Sequence, residues 1–195
     1  MSSETWRQTV FKILILGNGL SGSNLASKAY QLFGKKYRTE CTYFYNFENR
    51  FVSNLADLMR CQKIEKAEAQ CACCYFNINP DLILSCSWAY KVPSMVVEAI
   101  EAYNFHPSLL PLHKKKTYVQ QNLKPNDITG ITMHRMNEHF DEGPIYKQIA
   151  FNVEKPNNKM ELLINGIRAT NQILLEFVNE HPDILVYPQE DIKNV

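Results

Sequence analysis

The stretch Phe11-Lys12-Ile13-Leu14-Ile15-Leu16-Gly17-Asn18-Gly19-Leu20-Ser21-Gly22 decides the architecture. A short apolar run ending in glycine, residues 11–16, predicts a strand buried on both faces. The glycine-rich turn then opens a helix over residues 23–33, where Leu25, Ala29 and Leu32 share one face and Ser23 is the expected cap. Working outward, residues 41–45 read as a second strand and residues 51–60 as a second helix. Residues 82–87 read as another buried strand, set off by Pro80-Asp81. Pro93 suits the first turn of a helix reaching Ala102. Strands joined by crossover helices predict an α/β fold, a doubly wound, mainly parallel sheet with helices on both faces. Such sheets hold ligands at the carboxyl ends of their strands, which points to the loops after Leu16, after Ser87 and around residues 104–106.

The second half changes character. Residues 128–135 and 144–153 predict antiparallel strands flanking a polar turn that contains Asp141 and Gly143. From Lys159 to about Glu180 the pattern Leu162, Leu163, Ile167, Ile173, Leu174, Val178 predicts an amphipathic helix. The expected organisation is one catalytic domain over 1–182 and a short C-terminal extension over 183–195. The long helix or the tail offers a surface for a homodimer.

Composition bounds the class. The 195 residues are 45% hydrophobic and 21% charged, as in ordinary globular proteins. A formal charge of +1 does not favour a dedicated nucleic-acid binder, but a small anionic substrate needs only a few local cations. The opening MSSETWRQTVFK lacks the apolar core of a signal peptide, and no apolar run is long enough to span a bilayer. The expectation is a cytoplasmic protein with reduced thiols and no membrane partner. Six cysteines are present, and Cys71, Cys73 and Cys74 cluster. Their spacing lacks the paired two-residue gaps of structural zinc sites, so free thiols and no metal are expected.

The densest chemical signal is Asn104-Phe105-His106-Pro107-Ser108-Leu109-Leu110-Pro111. Asn104 and His106 are two apart, so on an extended segment their side chains point the same way. Asn donates to a developing oxyanion, and His exchanges a proton near neutral pH. A second segment, Thr129-Gly130-Ile131-Thr132-Met133-His134, leads into Phe140-Asp141-Glu142-Gly143. An acid at that turn, approaching His106, orients a water or holds the imidazolium.

Together these segments resemble the 10-formyltetrahydrofolate-dependent formyltransferases, a family that includes glycinamide ribonucleotide transformylase, the methionyl-tRNA formyltransferase catalytic domain and the amino-sugar formyltransferases. The shared pattern is Asn-x-His-x-Ser-Leu-Leu-Pro, followed about 35 residues later by an Asp shortly before a Gly, here Asn104, His106, 108–111 and Asp141. The resemblance implies formyl transfer from 10-formyltetrahydrofolate, a co-substrate, to an amine, with Asn104, His106 and Asp141 catalytic and no metal. By the same analogy the pterin lies against Trp88, Ala89, Tyr90 and Val92 and against Asn137 and Phe140. Trp88 and Tyr90 either wall the heterocycle or pack in the core.

The acceptor is less determined. Gly17, Asn18 and Gly19 resemble the phosphate loop of glycinamide ribonucleotide transformylase, interrupted here by three extra residues; they also meet the GxGxxG spacing of a dinucleotide-binding oxidoreductase. A tight turn with no ligand is the plain alternative. Residues 87–93 and 136–141 look closer to the amino-sugar branch, whose acceptor is an amine on a nucleotide-linked deoxysugar, with Ser108, Lys114 and Lys115 as candidate acceptor contacts. Where many relatives carry a basic-glycine turn, this chain has His113-Lys114-Lys115-Lys116-Thr117, either a diphosphate contact or a solvated charge run. A catalytically silent folate-binding relative is the non-enzymatic alternative.

Overall fold

A computed structural model describes residues 10–47 and 51–191. Most of the opening MSSETWRQTVFK, where a signal peptide would lie, and all of the last four residues of the tail fall outside them. The chain divides into two compact units, 1–102 and 103–195.

In the first unit, strand β1 (Phe11–Gly17) leads directly into helix α1 (Gly19–Lys36), followed by β2 (Thr39–Tyr45). Then come α2 (Ser53–Ala56), β3 (Arg60–Lys63), α3 (Lys66–Ala69), α4 (Ala72–Phe76), β4 (Leu82–Cys86) and α5 (Ser94–Ala99). The strands lie in the order β3-β2-β1-β4 and run parallel, with Ile13 opposite both Cys41 and Leu82. Ile13 to Leu16 and all of β4 are buried, as strands covered on both faces require. Helix α1 buries Leu25, Ala26, Ala29, Leu32 and Phe33, a stripe at helical spacing. The larger members, Leu25, Leu32 and Phe33, each contribute roughly 1.5–3 kcal/mol when fully buried.

Three local expectations are corrected here. Helix α1 begins at Gly19, not Ser23, and its N-cap is Asn18; Ser23 is a buried residue inside the helix, bonded to the Tyr43 hydroxyl. The helix expected over 51–60 shrinks to the four residues of α2, and Arg60 already belongs to β3. The backbone turns at Leu58 and Met59, whose amides both bond back to Leu55 O, and then extends. The helix expected from Pro93 to Ala102 stops at Ala99, because residues 101–106 pair as a strand.

In the second unit, β5 (Glu101–His106, its first two residues from the first unit), β6 (Ile128–Arg135) and β7 (Ile145–Asn152) lie in that order and run antiparallel. The strand pairings are thus mixed: the four strands of the first unit pair parallel, and β5–β6 and β6–β7 pair antiparallel. The α/β expectation, mainly parallel with antiparallel strands in the second half, matches this architecture. A bulge between Met133 and His134 interrupts the β6–β7 register and re-aims the strand end. Helix α6 (Lys159–Glu180) starts where Asn158 Oδ1 accepts the Glu161 amide, and it buries Ile173, Leu174, Phe177 and Val178. Phe177 meets the Tyr103 ring edge-on at 4.8 Å and the Tyr146 ring at 5.4 Å. The tail, read as an extension, folds back within this unit: Tyr187 and Ile145 exchange two backbone hydrogen bonds of 2.7 and 2.8 Å.

Among the described residues no helix is long and apolar enough to cross a membrane.

Candidate active site

The catalytic candidates all belong to the second unit. Strand β5 carries Asn104 and His106 two residues apart, so both side chains leave the same face. Antiparallel pairing sets Asn104 opposite His134 and His106 opposite Thr132 on β6. The β6–β7 turn then returns Asp141 to this face with φ at +59°, a left-handed conformation that Asp tolerates better than most residues. Gly143 makes the return possible: a Cβ there would collide with the Arg135 carbonyl.

The result is a buried polar cluster. Asp141 Oδ2 lies 3.3 Å from His106 Nδ1 and accepts the Lys115 amide at 2.8 Å. Its Oδ1 lies 3.5 Å from both His134 Nε2 and Asn104 Nδ2, which are themselves 3.3 Å apart. His106, His134 and Asp141 are 5%, 2% and 6% exposed, so a charge here is poorly screened by water.

Electrostatics follows from these contacts. Burial alone would raise the Asp141 carboxyl, but the hydrogen bond from His134, the His106 charge and the Lys115 amide outweigh it and hold it below the usual carboxylate value. His106 faces acceptors on both sides, Asp141 on Nδ1 and the His113 carbonyl 3.0 Å from Nε2. Burial is the larger influence and pulls its pKa below the ordinary value, while Asp141 and the carbonyl push it up and the neighbouring His134 and His113 push it down. A ring that is neutral at rest yet flanked by two acceptors takes a proton readily when charge develops nearby.

His134 is the member of this cluster that sequence reasoning passed over. Its Nδ1 donates to the Arg135 carbonyl at 3.1 Å, which leaves Nε2 free to accept from Asn104 or, when protonated, to donate to Asp141. The signal was present in the spacing Thr132-x-His134, which mirrors Asn104-x-His106 across two paired strands.

A hydroxyl hub supports the loop after His106. Thr132 Oγ1 donates to Ser108 O at 2.6 Å and accepts from the Leu110 amide at 3.0 Å and Gln148 Nε2 at 2.8 Å. Ser108, expected to touch substrate, is fully buried and its own hydroxyl donates to Leu112 O at 2.7 Å. Lys114 Nζ stands 3.9 Å from Glu142, and Lys115 has φ at +62°. On the β6–β7 turn Asn137 Oδ1 accepts the His139 amide, and Phe140 is 46% exposed.

Two groups of candidates belong to the first unit. The Gly17–Gly22 turn is closed on itself: a Cβ on Gly22 would meet Gly17 carbons at 2.6 and 2.8 Å, so strand and helix touch backbone to backbone. Asn18 Oδ1 accepts from the amides of Asn46 and Phe47 at 3.0 and 3.2 Å, and its Nδ2 donates to Ser87 O at 2.9 Å. The Asn18 side chain is therefore committed to joining the ends of β1, β2 and β4, and Gly19, with φ at +57°, opens α1 beside it. The Trp88 and Tyr90 rings meet edge-on at 5.5 Å; Ala89 is exposed and Val92 buried.

Cys71 and Cys73 form a disulfide, contrary to the free thiols expected, because the turn opening α4 brings their Cα atoms to 5.4 Å. Their sulfurs and that of Cys74 lie within 4.8 Å of one another, and Cys74 is free, as are Cys41, Cys61 and Cys86.

Comparison with known proteins places this geometry among relatives. The formyl transferase family model matches residues 19–178. Methionyl-tRNA formyltransferase of Thermosipho africanus is 32% identical over 115 residues, covering 58% of this chain and 38% of that protein. That of Wolbachia sp. subsp. Drosophila simulans is 30% identical over 119 residues, 59% of this chain and 40% of the other. This chain thus spans about two fifths of the length of these curated relatives. Among solved structures, a 4-N formyltransferase from Francisella tularensis superposes with a TM-score of 0.72 at 18% identity, covering 94% of this chain and 75% of that one. Glycinamide ribonucleotide transformylase 1 from Symbiobacterium toebii gives 0.70 at 18% identity, covering 92% and 94%.

Proposed function

Because this chain belongs to the formyl transferase family, we propose that it transfers a formyl group from 10-formyltetrahydrofolate to a primary amine of a small acceptor. The observation that carries the reading is the cluster of half-buried Asn104 with buried His106 and Asp141, with Asp141 in contact with both partners. The amine nitrogen attacks the formyl carbon, forming a C–N bond and placing negative charge on the formyl oxygen. An Asn104 amide hydrogen and His106 Nε2–H are donors of the right kind for that oxygen. Both must first exchange present acceptors for it, His106 Nε2 the His113 carbonyl and Asn104 Nδ2 either His134 Nε2 or Asp141 Oδ1. Asp141, held ionised, steadies the imidazolium and relays the proton of the attacking amine through water. Collapse breaks the bond to the folate nitrogen, which takes up that proton. These steps require neither a metal nor a covalent enzyme intermediate.

Within this proposal the acceptor is a nucleotide-linked amino sugar. The closed Gly17–Gly22 turn supports it over the purine precursor, since Asn18 is engaged by three backbone groups instead of facing an anion. The acceptor contacts assigned to Ser108, Lys114 and Lys115, and the co-substrate contacts assigned to Trp88, Ala89, Tyr90, Val92, Asn137 and Phe140, belong to the same proposal. So do the catalytic domain of 1–182, a cytoplasmic location and a homodimer.

The test is turnover of 10-formyltetrahydrofolate with a panel of amine acceptors. Formylation of a nucleotide-linked amino sugar is expected, with kcat lowered about 100-fold or more in His106→Asn and in Asp141→Asn. Turnover with glycinamide ribonucleotide alone would overturn the sugar assignment, and variants within about tenfold of the parent would overturn the mechanism.

A further inference from the structure

We propose that Gln189, in the tail, is a positioning residue that sets the direction of the Asp141 carboxylate. Its Nε2 donates to Asp141 O at 2.8 Å and to Gly143 O at 2.9 Å, using both amide hydrogens on the one turn that carries the acid. The orientation of the amide is fixed by its partners: turned over, Oε1 would face two carbonyl oxygens. Oε1 is instead buried with no hydrogen-bond partner, and the unpaired acceptor is tolerated opposite two made bonds.

The turn needs such a hold. Its base is closed by the Arg135 amide on Pro144 O at 2.8 Å, but Asp141 sits at its far side in a left-handed conformation. Rotating the Asp141 backbone swings the carboxylate, whose contacts to His106, His134 and Asn104 are already long, at 3.3 to 3.5 Å. Pinning the carbonyls of Asp141 and Gly143 removes that rotation. Gln189 reaches them because Tyr187 pairs with Ile145 at the start of β7, which places residue 189 beside the turn across 48 residues of sequence.

This deepens the formyl-transfer reading and rests on it for its effect on turnover, so the test carries a readout independent of activity. In Gln189→Met, close in size and without a donor, carboxyl 13C NMR of Asp141 is expected to show its pKa raised by about one unit, as its bonds to His134 and Lys115 loosen. Formyl transfer is expected to lose kcat by about tenfold or more with KM for both substrates unchanged, the pattern of a misplaced group. Gln189→Glu, whose ionised carboxylate repels the two carbonyls, is expected to shift Asp141 in the same direction and to recover in part as the new carboxyl protonates. An Asp141 titration that overlays the parent in a folded Gln189→Met variant overturns the inference. If Gln189→Met does not fold, an unshifted titration in Gln189→Glu overturns it equally. Failure of the parent to transfer formyl to any acceptor strikes the functional proposal and leaves the NMR result standing.

Discussion

Replacing Thr132 with valine removes one hydroxyl from the interior and changes the side-chain volume little. The loss is large because that oxygen makes three hydrogen bonds at once. Ser108 O loses its 2.6 Å donor and the Leu110 amide its 3.0 Å acceptor, both beneath a loop that a methyl group would seal from water. Gln148 Nε2 keeps its 2.8 Å bond to Leu110 O, so it adds little to the sum. A buried neutral group left unpaired costs about 1–3 kcal/mol, and two such groups give roughly 3–4 kcal/mol as a central value. Urea unfolding followed by circular dichroism reads this as a lower midpoint at unchanged slope. A loss under about 1 kcal/mol with the slope preserved would refute the reasoning, because it would mean that neither backbone group is stranded.

Acid should destabilise the fold in two stages. His106 has its folded pKa lowered below 6.5, so an unfolded chain takes up a proton there before the folded one does. Its contribution is whole above that value and is lost as pH falls through the folded pKa. Asp141, lowered below 3.8, contributes above that value and is lost on further acidification. Urea midpoints measured from pH 8 to 5 should fall in the parent and flatten in His106→Asn; an unchanged slope in the variant would remove His106 from the account. Asn18→Ala should cost about 1–3 kcal/mol, chiefly by stranding the amide of buried Asn46, since Phe47 and Ser87 are exposed and water replaces their bonds, with KM for the acceptor unaltered. A raised KM at parental stability would return Asn18 to anion binding.

What was legible in the sequence was whatever local pattern decides. The Ile-Leu run of β1 and the periodicity of α6 stand out because burial on two faces, or on one stripe, dictates composition. β3 was invisible because Arg60-Cys61-Gln62-Lys63 is a polar edge strand with no apolar alternation. The start of β5 was absorbed into a helix because Ile100 and Ala102 also fit helical spacing. Asn104 and His106 were legible from their own separation, but His134 required the strand register. Gln189 carries no sequence signal, since its two acceptors are more than forty residues upstream.

The left-handed backbone at Asp141 also governs which controls can be believed. Alanine at φ +59° adds a conformational penalty of about 1–2 kcal/mol to the loss of the carboxylate, so an inactive Asp141→Ala protein would confound a distorted turn with missing chemistry. Asparagine accepts the same backbone region and keeps the shape, and glycine relaxes the turn while deleting the side chain. Read side by side, the two isolate chemistry from conformation at a position where the usual scanning residue mixes them.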